Sequence, residues 1–485
     1  WGVIENHGLF EIGVCLPQSE KTKQFIAFAV KNLEVQVRMQ IMPDGVHWEQ
    51  SPMYHNEVLH CLLDVILLAK RNGIALPDVI LRQTEKMAMA DVAWLKPDHH
   101  IVMMGDSDDV DVRDRISVAA YLFLNPVLRF GGFDRLDYES IWDLGMKAGE
   151  EYAVMERRKP DFTSLFLEHS GNTYFRSDWS ERANFLHLHS GTMGAGHGHS
   201  DKLHIDLVVN GEDVLMDGGR YTYVSGPKRF SYKDPSGHNT ITVDDLPFTV
   251  CKDSWECSKL SQPVKENFRC TKLAEFAQAG QLGYMDLPGG VYVNRKVVYI
   301  KPDLYILVDE MYTGDCHTYQ QYFHFNNHDA VTLTAPGEKK FPCVAYRGKM
   351  AEADFYFVSA QVKAELKRGH IARHYNVEEE NTVCKVTKPG DGFTSLITVI
   401  DAHPGRPLSI EKLPVRSALK QTDYPETMAE ALKITTGEKE YVVILCHQEV
   451  NSPTDLVEAD GCMGYGNVIV FDKAEDVLVG DVLNW

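Results

Sequence analysis

The chain has 485 residues, 44% of them hydrophobic and 10% aromatic, enough for two or three domains with a core that needs no covalent staples. Its formal charge of 49 − 69 = −20 excludes the basic footprint that nucleic-acid binding requires, and it opposes simple attraction to any polyanion. No signal peptide or bilayer-spanning run is visible: the apolar stretch from Val58 to Ala69 is short and interrupted by His60 and Asp64.

Residues 1–150 read as helical. Ile26, Val30, Leu33, Val37 and Ile41 recur at helical spacing before Pro43-Asp44-Gly45. Val58 to Lys70 predicts a second helix, ended by Asn72-Gly73; Leu81–Leu95 predicts a third, and Arg113–Leu124 a fourth. Tandem helices with short links suggest hairpins of a helical barrel or toroid. The acidic stretch Asp106–Asp114 lacks the spacing of a calcium loop and reads as a solvated loop or helix cap.

From about Thr163 the period changes to two. Strands are expected at Tyr174–Asp178, Asn184–His189, His204–Asn210, Thr240–Asp244, Val291–Val308, Thr318–Phe325, Asp354–Ser359 and Thr394–Ile400, which suits a large antiparallel sandwich. Asn210-Gly211 is a strong hairpin signal. His187 and His189 alternate in one of these strands and read as sheet residues. Two further strands, Tyr441–Cys446 and Asn467–Phe471, suggest a small terminal sheet. The expected division is 1–150 helical, 151–400 antiparallel sandwich and 401–485 terminal strands, an α+β multidomain chain. The ten cysteines show no regular framework and no CxxC pair.

One stretch carries the chemistry, Gly191 to Val243. His197 and His199 stand two apart, so in an extended strand both face one site. Asp217 and His238 follow, and His, Asp and His make a ligand set that suits zinc. Arg38, Lys202, Arg220, Lys228, Arg229 and Lys233 cluster in sequence around these residues and are expected to line a cleft for carboxylates or sulfates, Arg220 and Arg229 foremost.

The HGHSD, LMDGG, YTY and GHNT series, with ENHG and EQSPMYH upstream, resembles the heparinase II/III-like superfamily of polysaccharide lyases. The resemblance implies a partial N-terminal (α/α) toroid followed by an antiparallel β-sandwich, with the start of the toroid expected upstream of Trp1. It implies β-elimination on a uronic-acid-containing glycan of the heparin/heparan, hyaluronan or chondroitin group, with alginate as the alternative substrate. In such chemistry the uronate charge must be neutralised, a base must reach C5 and an acid must protonate the leaving oxygen. By position, Asn6 and His7, in a turn before a helix, match carboxylate binders. Tyr54 matches the catalytic tyrosine, and His197 a catalytic histidine that serves as base for the other C5 epimer or as a further carboxylate partner. Tyr223 is assigned as a second tyrosine, with Tyr221 and Tyr232 as rivals. His199, Asp217 and His238 match the ligands of a mainly structural Zn2+. Trp48 is expected to stack on a sugar ring, and His55 to support substrate or simply to begin a helix. A zinc-dependent glycan hydrolase and a non-catalytic carbohydrate-binding protein are the rival classes. The implied partner is an acidic polysaccharide or oligosaccharide, with no nucleic acid and no membrane; a homo-oligomer is compatible with the sequence. Unpaired cysteines favour the cytoplasm, and a leader upstream of Trp1 would instead mean a secreted or periplasmic protein.

Overall fold

The computed structural model describes residues 1–334, 340–437, 439–473 and 478–484. The chain begins with α1 (Gly2–Cys15), α2 (Glu20–Gln40), α3 (Pro52–Asn72), α4 (Asp78–Trp94) and α5 (Arg113–Phe123). α2 starts with a reciprocal cap: the Ser19 hydroxyl accepts from the Thr22 amide, and the Thr22 hydroxyl accepts from the Ser19 amide. α3 starts six residues before the apolar run suggests, because Pro52 suits a first helical turn, and it ends at Gly73 in the left-handed region (φ 65°).

α1 is a correction. The ENHG segment, expected as a turn before a helix, lies inside one. Gly8 lowers local helix propensity, but packing against α2 overrides it: a Cβ on Gly13 would come within 2.7 Å of the Ile26 side chain. Three short helices, α6 (Pro126–Gly131), α7 (Tyr138–Leu144) and α8 (Met146–Ala153), were not anticipated; each is too short to show a clear period. Among the described residues no helix is long and apolar enough to cross a membrane.

The rest of the chain is dominated by one large antiparallel sheet. Its spine is Leu304–Phe325 paired with Val377–Asp401. The run expected as one strand over Val291–Val308 is two, Val291–Ile300 and Leu304–Phe325, folded back at Pro302, which cannot donate to a ladder. Asn210 and Gly211, with φ of 49° and 81°, make the two-residue hairpin between His204–Val209 and Glu212–Leu215. His187 and His189 are buried sheet residues, the former between Asp206 and Asn172. A five-stranded sheet closes the chain, with Lys439–Cys446 at its centre and Val468–Asp472 beside it.

Helices and sheet are not separate bodies. Tyr174, Phe185 and Val208 of the sheet belong to the same buried cluster as Trp94, Leu128 and Tyr152 of the helices. Beside that cluster, buried Lys96 donates to Asp213 at 2.9 Å and to Asp109 at 3.2 Å, while Arg373 reaches Asp109 at 2.7 Å. The acidic stretch 106–114, expected to be solvated, is therefore largely interior: Asp106, Asp108 and Asp109 are all buried.

The C-terminal sheet is seated by a second buried network. His447 Nδ1 lies 2.7 Å from Glu310 and its Nε2 3.3 Å from Glu430. Burial opposes the His447 charge, but the two carboxylates outweigh it and raise its pKa. Burial likewise opposes ionisation of both glutamates, yet Lys296 and His447 bring Glu310 to about 2, and His447 and Lys412 bring Glu430 to about 2. A raised histidine stabilises below its unfolded value of about 6.5 and loses that contribution as pH rises through the folded value. Depressed glutamates stabilise above about 4.3 and lose that contribution as pH falls towards 2. Thermal unfolding followed across pH should therefore show this network strongest between about 4.3 and 6.5. The alkaline side of that maximum should flatten in His447→Gln, and an unchanged profile would refute the assignment.

Candidate active site and metal centre

The site is built where the first turn of α3 meets the loop carrying Asp106. Ser107 Oγ accepts from the Met53 amide at 3.1 Å and pairs with Ser51 Oγ at 2.9 Å, so a residue of the acidic loop caps α3 from outside. That cap fixes the direction in which Tyr54 leaves the helix.

Asp106 reaches across to the sheet-side loop. Its carboxylate accepts from His197 Nδ1 at 3.0 Å and His199 Nε2 at 2.9 Å, and receives both Arg229 nitrogens at 2.6 and 2.9 Å. Burial alone would raise the Asp106 pKa; the two histidine hydrogen bonds and the Arg229 charge reverse this and hold it well below the usual carboxylate range. His197 and His199 do not share a face of a strand, as two-residue spacing suggested. They lie in an irregular loop, His197 partly exposed and His199 buried, and Asp106 is what brings them together. The loop folds tightly enough that a Cβ on Gly198 would fall 1.5 Å from the Met193 carbonyl oxygen.

Tyr54 stacks on His197 with ring centroids 3.5 Å apart and 16° between planes. Its hydroxyl lies 2.9 Å from that of Tyr223, and Arg220 Nη1 donates to Tyr223 at 2.7 Å. Of the three candidate tyrosines, Tyr223 is thus the one joined to Tyr54. Tyr221 and Tyr232 stack on each other, and the Tyr232 hydroxyl donates to Glu378. Burial raises both the Tyr54 and Tyr223 phenols, and Arg220 opposes this in each. Two aromatic residues that sequence reasoning missed complete the surface. Trp255, 52% exposed, packs 5.4 Å from the His197 ring and 5.1 Å from Tyr223; Tyr375 lies 5.3 Å from Tyr223. Neither sits in a recognisable motif. Trp255 belongs to a two-stranded hairpin, and Tyr375 follows the strand Lys363–His374.

His199, Asp217 and His238 converge behind this surface, each offering a ligand atom within 4.8 Å of the others. His199 Nδ1 and His238 Nε2 are buried and have no hydrogen-bond partner. Unpartnered nitrogens in a dry interior are the condition that a bound cation would satisfy. Burial pushes His199 down to about 4, which keeps its imidazole neutral, as ligation requires. Asp217 leaves the sheet just after Glu212–Leu215. The next residues must turn sharply: a Cβ on Gly219 (φ 76°) would lie 2.2 Å from the Ala372 oxygen.

Other expected site residues are placed elsewhere. Asn6 donates to the Gly2 carbonyl and accepts from Asn32; His7 contacts Glu11 and Asp64. Asp64 is ten residues beyond Tyr54 on α3, about 15 Å along the axis, and no described contact joins Asn6 or His7 to Tyr54. His55 is fully buried, bound to the His47 amide and the Met87 carbonyl, so it supports the helix packing rather than substrate. Trp48, 44% exposed, stands beside the loop that carries His197, its carbonyl against Gly194. The expected basic lining is mostly consumed internally. Arg229 is fully buried on Asp106, Arg220 forks onto Asp108 at 2.7 and 3.0 Å, and Lys233 is buried on the Gly196 and Ser254 carbonyls. Lys202 is also buried, Lys228 pairs with Glu378, and Arg38 pairs with Glu34. A chain this acidic holds its cations against its own carboxylates.

Residues 159–409 match the family model described as heparinase II/III-like, C-terminal, and residues 1–126 match the heparinase II/III N-terminus. A heparin-sulfate lyase of Pedobacter heparinus is 26% identical over 271 residues, covering 52% of this chain and 38% of that protein. A heparin-sulfate lyase of Bacteroides stercoris is 20% identical over 411 residues, covering 79% and 56%. The crystal structure of heparan sulfate lyase HepC from Pedobacter heparinus superposes with a TM-score of 0.73 at 18% identity, over 93% of this chain and 66% of that one. The chain therefore spans about half the length of the curated relatives it matches.

Because Arg229 neutralises a buried carboxylate, Arg229→Ala should lower stability by roughly 3–5 kcal/mol in urea unfolding. A raised KM with an unchanged unfolding midpoint would instead restore it to the substrate surface.

Proposed function

The chain belongs to the heparinase II/III family, and from that premise we propose that it is a polysaccharide lyase acting on a uronic-acid-containing, heparan-sulfate-like glycan by β-elimination. The observation that carries this reading is the stacked Tyr54–His197 pair, with His197 anchored on Asp106. The helices then correspond to part of an (α/α) toroid and the large sheet to a β-sandwich, with substrate lying over the surface that Tyr54, His197, Tyr223 and Trp255 form together.

The hydrogen bonds at the site support a division of roles. His197 donates its Nδ1 proton to Asp106, which leaves Nε2 as the acceptor and makes the ring a base able to take the C5 proton. Arg220 donates to the Tyr223 oxygen; with Tyr223 in turn donating to the Tyr54 oxygen, the Tyr54 proton would be left for the leaving sugar oxygen. Tyr54 also serves as base for the opposite C5 epimer, with the Tyr223 and Arg220 donors opposing the burial that raises its phenol. Asp106 holds the histidine tautomer and touches no substrate. Recognition of the acidic glycan relies on phenol donors and on the faces of Trp48 and Trp255 rather than on a basic field.

His199, Asp217 and His238 would hold a Zn2+, whose chemistry here is structural: it would fix the loop carrying His197. Support comes from burial. The three ligands are sealed from solvent, whereas a metal that activates water for hydrolysis needs a position open to substrate.

Incubation with heparan sulfate should produce the ultraviolet absorbance of a 4,5-unsaturated uronate. Tyr54→Phe should reduce the rate about 10²–10⁴-fold; reducing ends without new absorbance would mean hydrolysis instead. Metal analysis should find zinc bound in the wild type and lost in His238→Ala, and equal zinc in both would remove this ligand set.

A further inference from the structure

The hairpin that presents Trp255 holds two thiols face to face. Val250–Cys251 pairs with Cys257–Lys259, and the register puts Cys251 directly opposite Cys257, with Sγ atoms 3.4 Å apart. Lys252 donates to the Glu256 carbonyl at 2.8 Å, closing the turn next to the Cys251–Cys257 pair. This cross-strand separation lies within the reach of a disulfide. Both cysteines are half-buried.

The hairpin is tied to the site on three sides. Cys257 Sγ lies 3.6 Å from the sulfur of Met193, in the loop that carries His197. Lys233 bridges the Gly196 and Ser254 carbonyls, and Ser254 Oγ donates to the Tyr223 carbonyl. Whatever restrains the two strands therefore restrains Trp255 against His197 and Tyr223.

We infer that Cys251 and Cys257 form a thiol–disulfide site, closed by a small-molecule disulfide, that clamps the Trp255 hairpin onto the catalytic loop. The Cys257 thiolate attacks one sulfur of the small disulfide and expels one thiolate, which takes a proton. Cys251 then gives up its proton and attacks Cys257 Sγ, expelling the second. The protein loses two electrons and two protons, and the small disulfide becomes two thiols. Cys257 is suited to the first step: the hydrogen bond from Cys251, aided by the Lys233 charge and opposed by burial, brings its thiol down to about 7. The same hydrogen bond, with burial, pushes Cys251 up, making it the resolving partner.

The thiol chemistry is independent of the lyase reading, only the name of the loop rests on it, and the test needs no turnover. The folded full chain is incubated with oxidised glutathione, quenched in acid, alkylated, digested and mapped by mass spectrometry. The peptide carrying both residues should lose two hydrogens and take no alkyl group, and dithiothreitol should reverse this. Cys257→Ser should leave Cys251 unable to lose its hydrogen to an internal partner. Glutathione on the exposed Cys15 and Cys316 confirms that the oxidant acted. If Cys251 and Cys257 stay alkylatable while Cys15 is glutathionylated, or carry glutathione that never resolves, the site is refuted. Hydrogen exchange should slow in segments 250–259 and 193–199 on oxidation, and unchanged exchange would refute the clamp.

Discussion

A single buried carboxylate, Asp106, holds the site together. An ionised acid in a dry interior persists only with several partners, and Asp106 has three: His197, His199 and Arg229. One of these belongs to the proposed reaction surface, one to the proposed metal centre, and one is a counter-ion with no route to solvent. Because Asp106 comes from the helical part and its partners from the sheet side, the same bonds that set the histidine tautomer also fix how the two parts meet. The Ser107 cap on α3, one residue on, adds Tyr54 to the same rigid unit.

The net charge of −20 acquires a structural meaning at this point. Cations from distant parts of the chain neutralise interior aspartates: Arg229 on Asp106, Arg220 on Asp108, and Lys96 with Arg373 on Asp109. These are internal bonds between layers rather than a surface field. What faces outward is aromatic and neutral. The proposed function would have this surface meet a charged sugar with rings and a few placed donors, Arg220 donating to Tyr223 beside Tyr54.

The rim of the site is built from less stable material. The hairpin bearing Trp255 has two short strands and owes its position to Ser254, Lys233 and the Cys257–Met193 contact rather than to the large sheet. Ligand-facing elements are commonly of this kind, few in apolar contacts and easily restrained or released.

By itself the sequence determined the elements with a long, clean period: α2 through α5, the Asn210-Gly211 hairpin, parts of the central strands, and the grouping of His199, Asp217 and His238 within one loop-rich stretch. Periodicity and turn chemistry are local, so they survive without knowledge of partners. It also singled out Tyr54, His197 and Tyr223 through their motifs. Tertiary structure decided what local pattern cannot carry. α1 forms because Gly13 packs against Ile26, despite a segment that reads as a turn. Asp106 is interior because three partners from distant parts of the chain compensate its charge, whereas a run of acids taken alone reads as solvated. His55 and Arg229 have the chemistry of substrate ligands and the burial of structural residues. Trp255 and Tyr375 reach the site from 58 and 178 residues beyond His197, a proximity that exists only once the sheet has folded the chain back on itself.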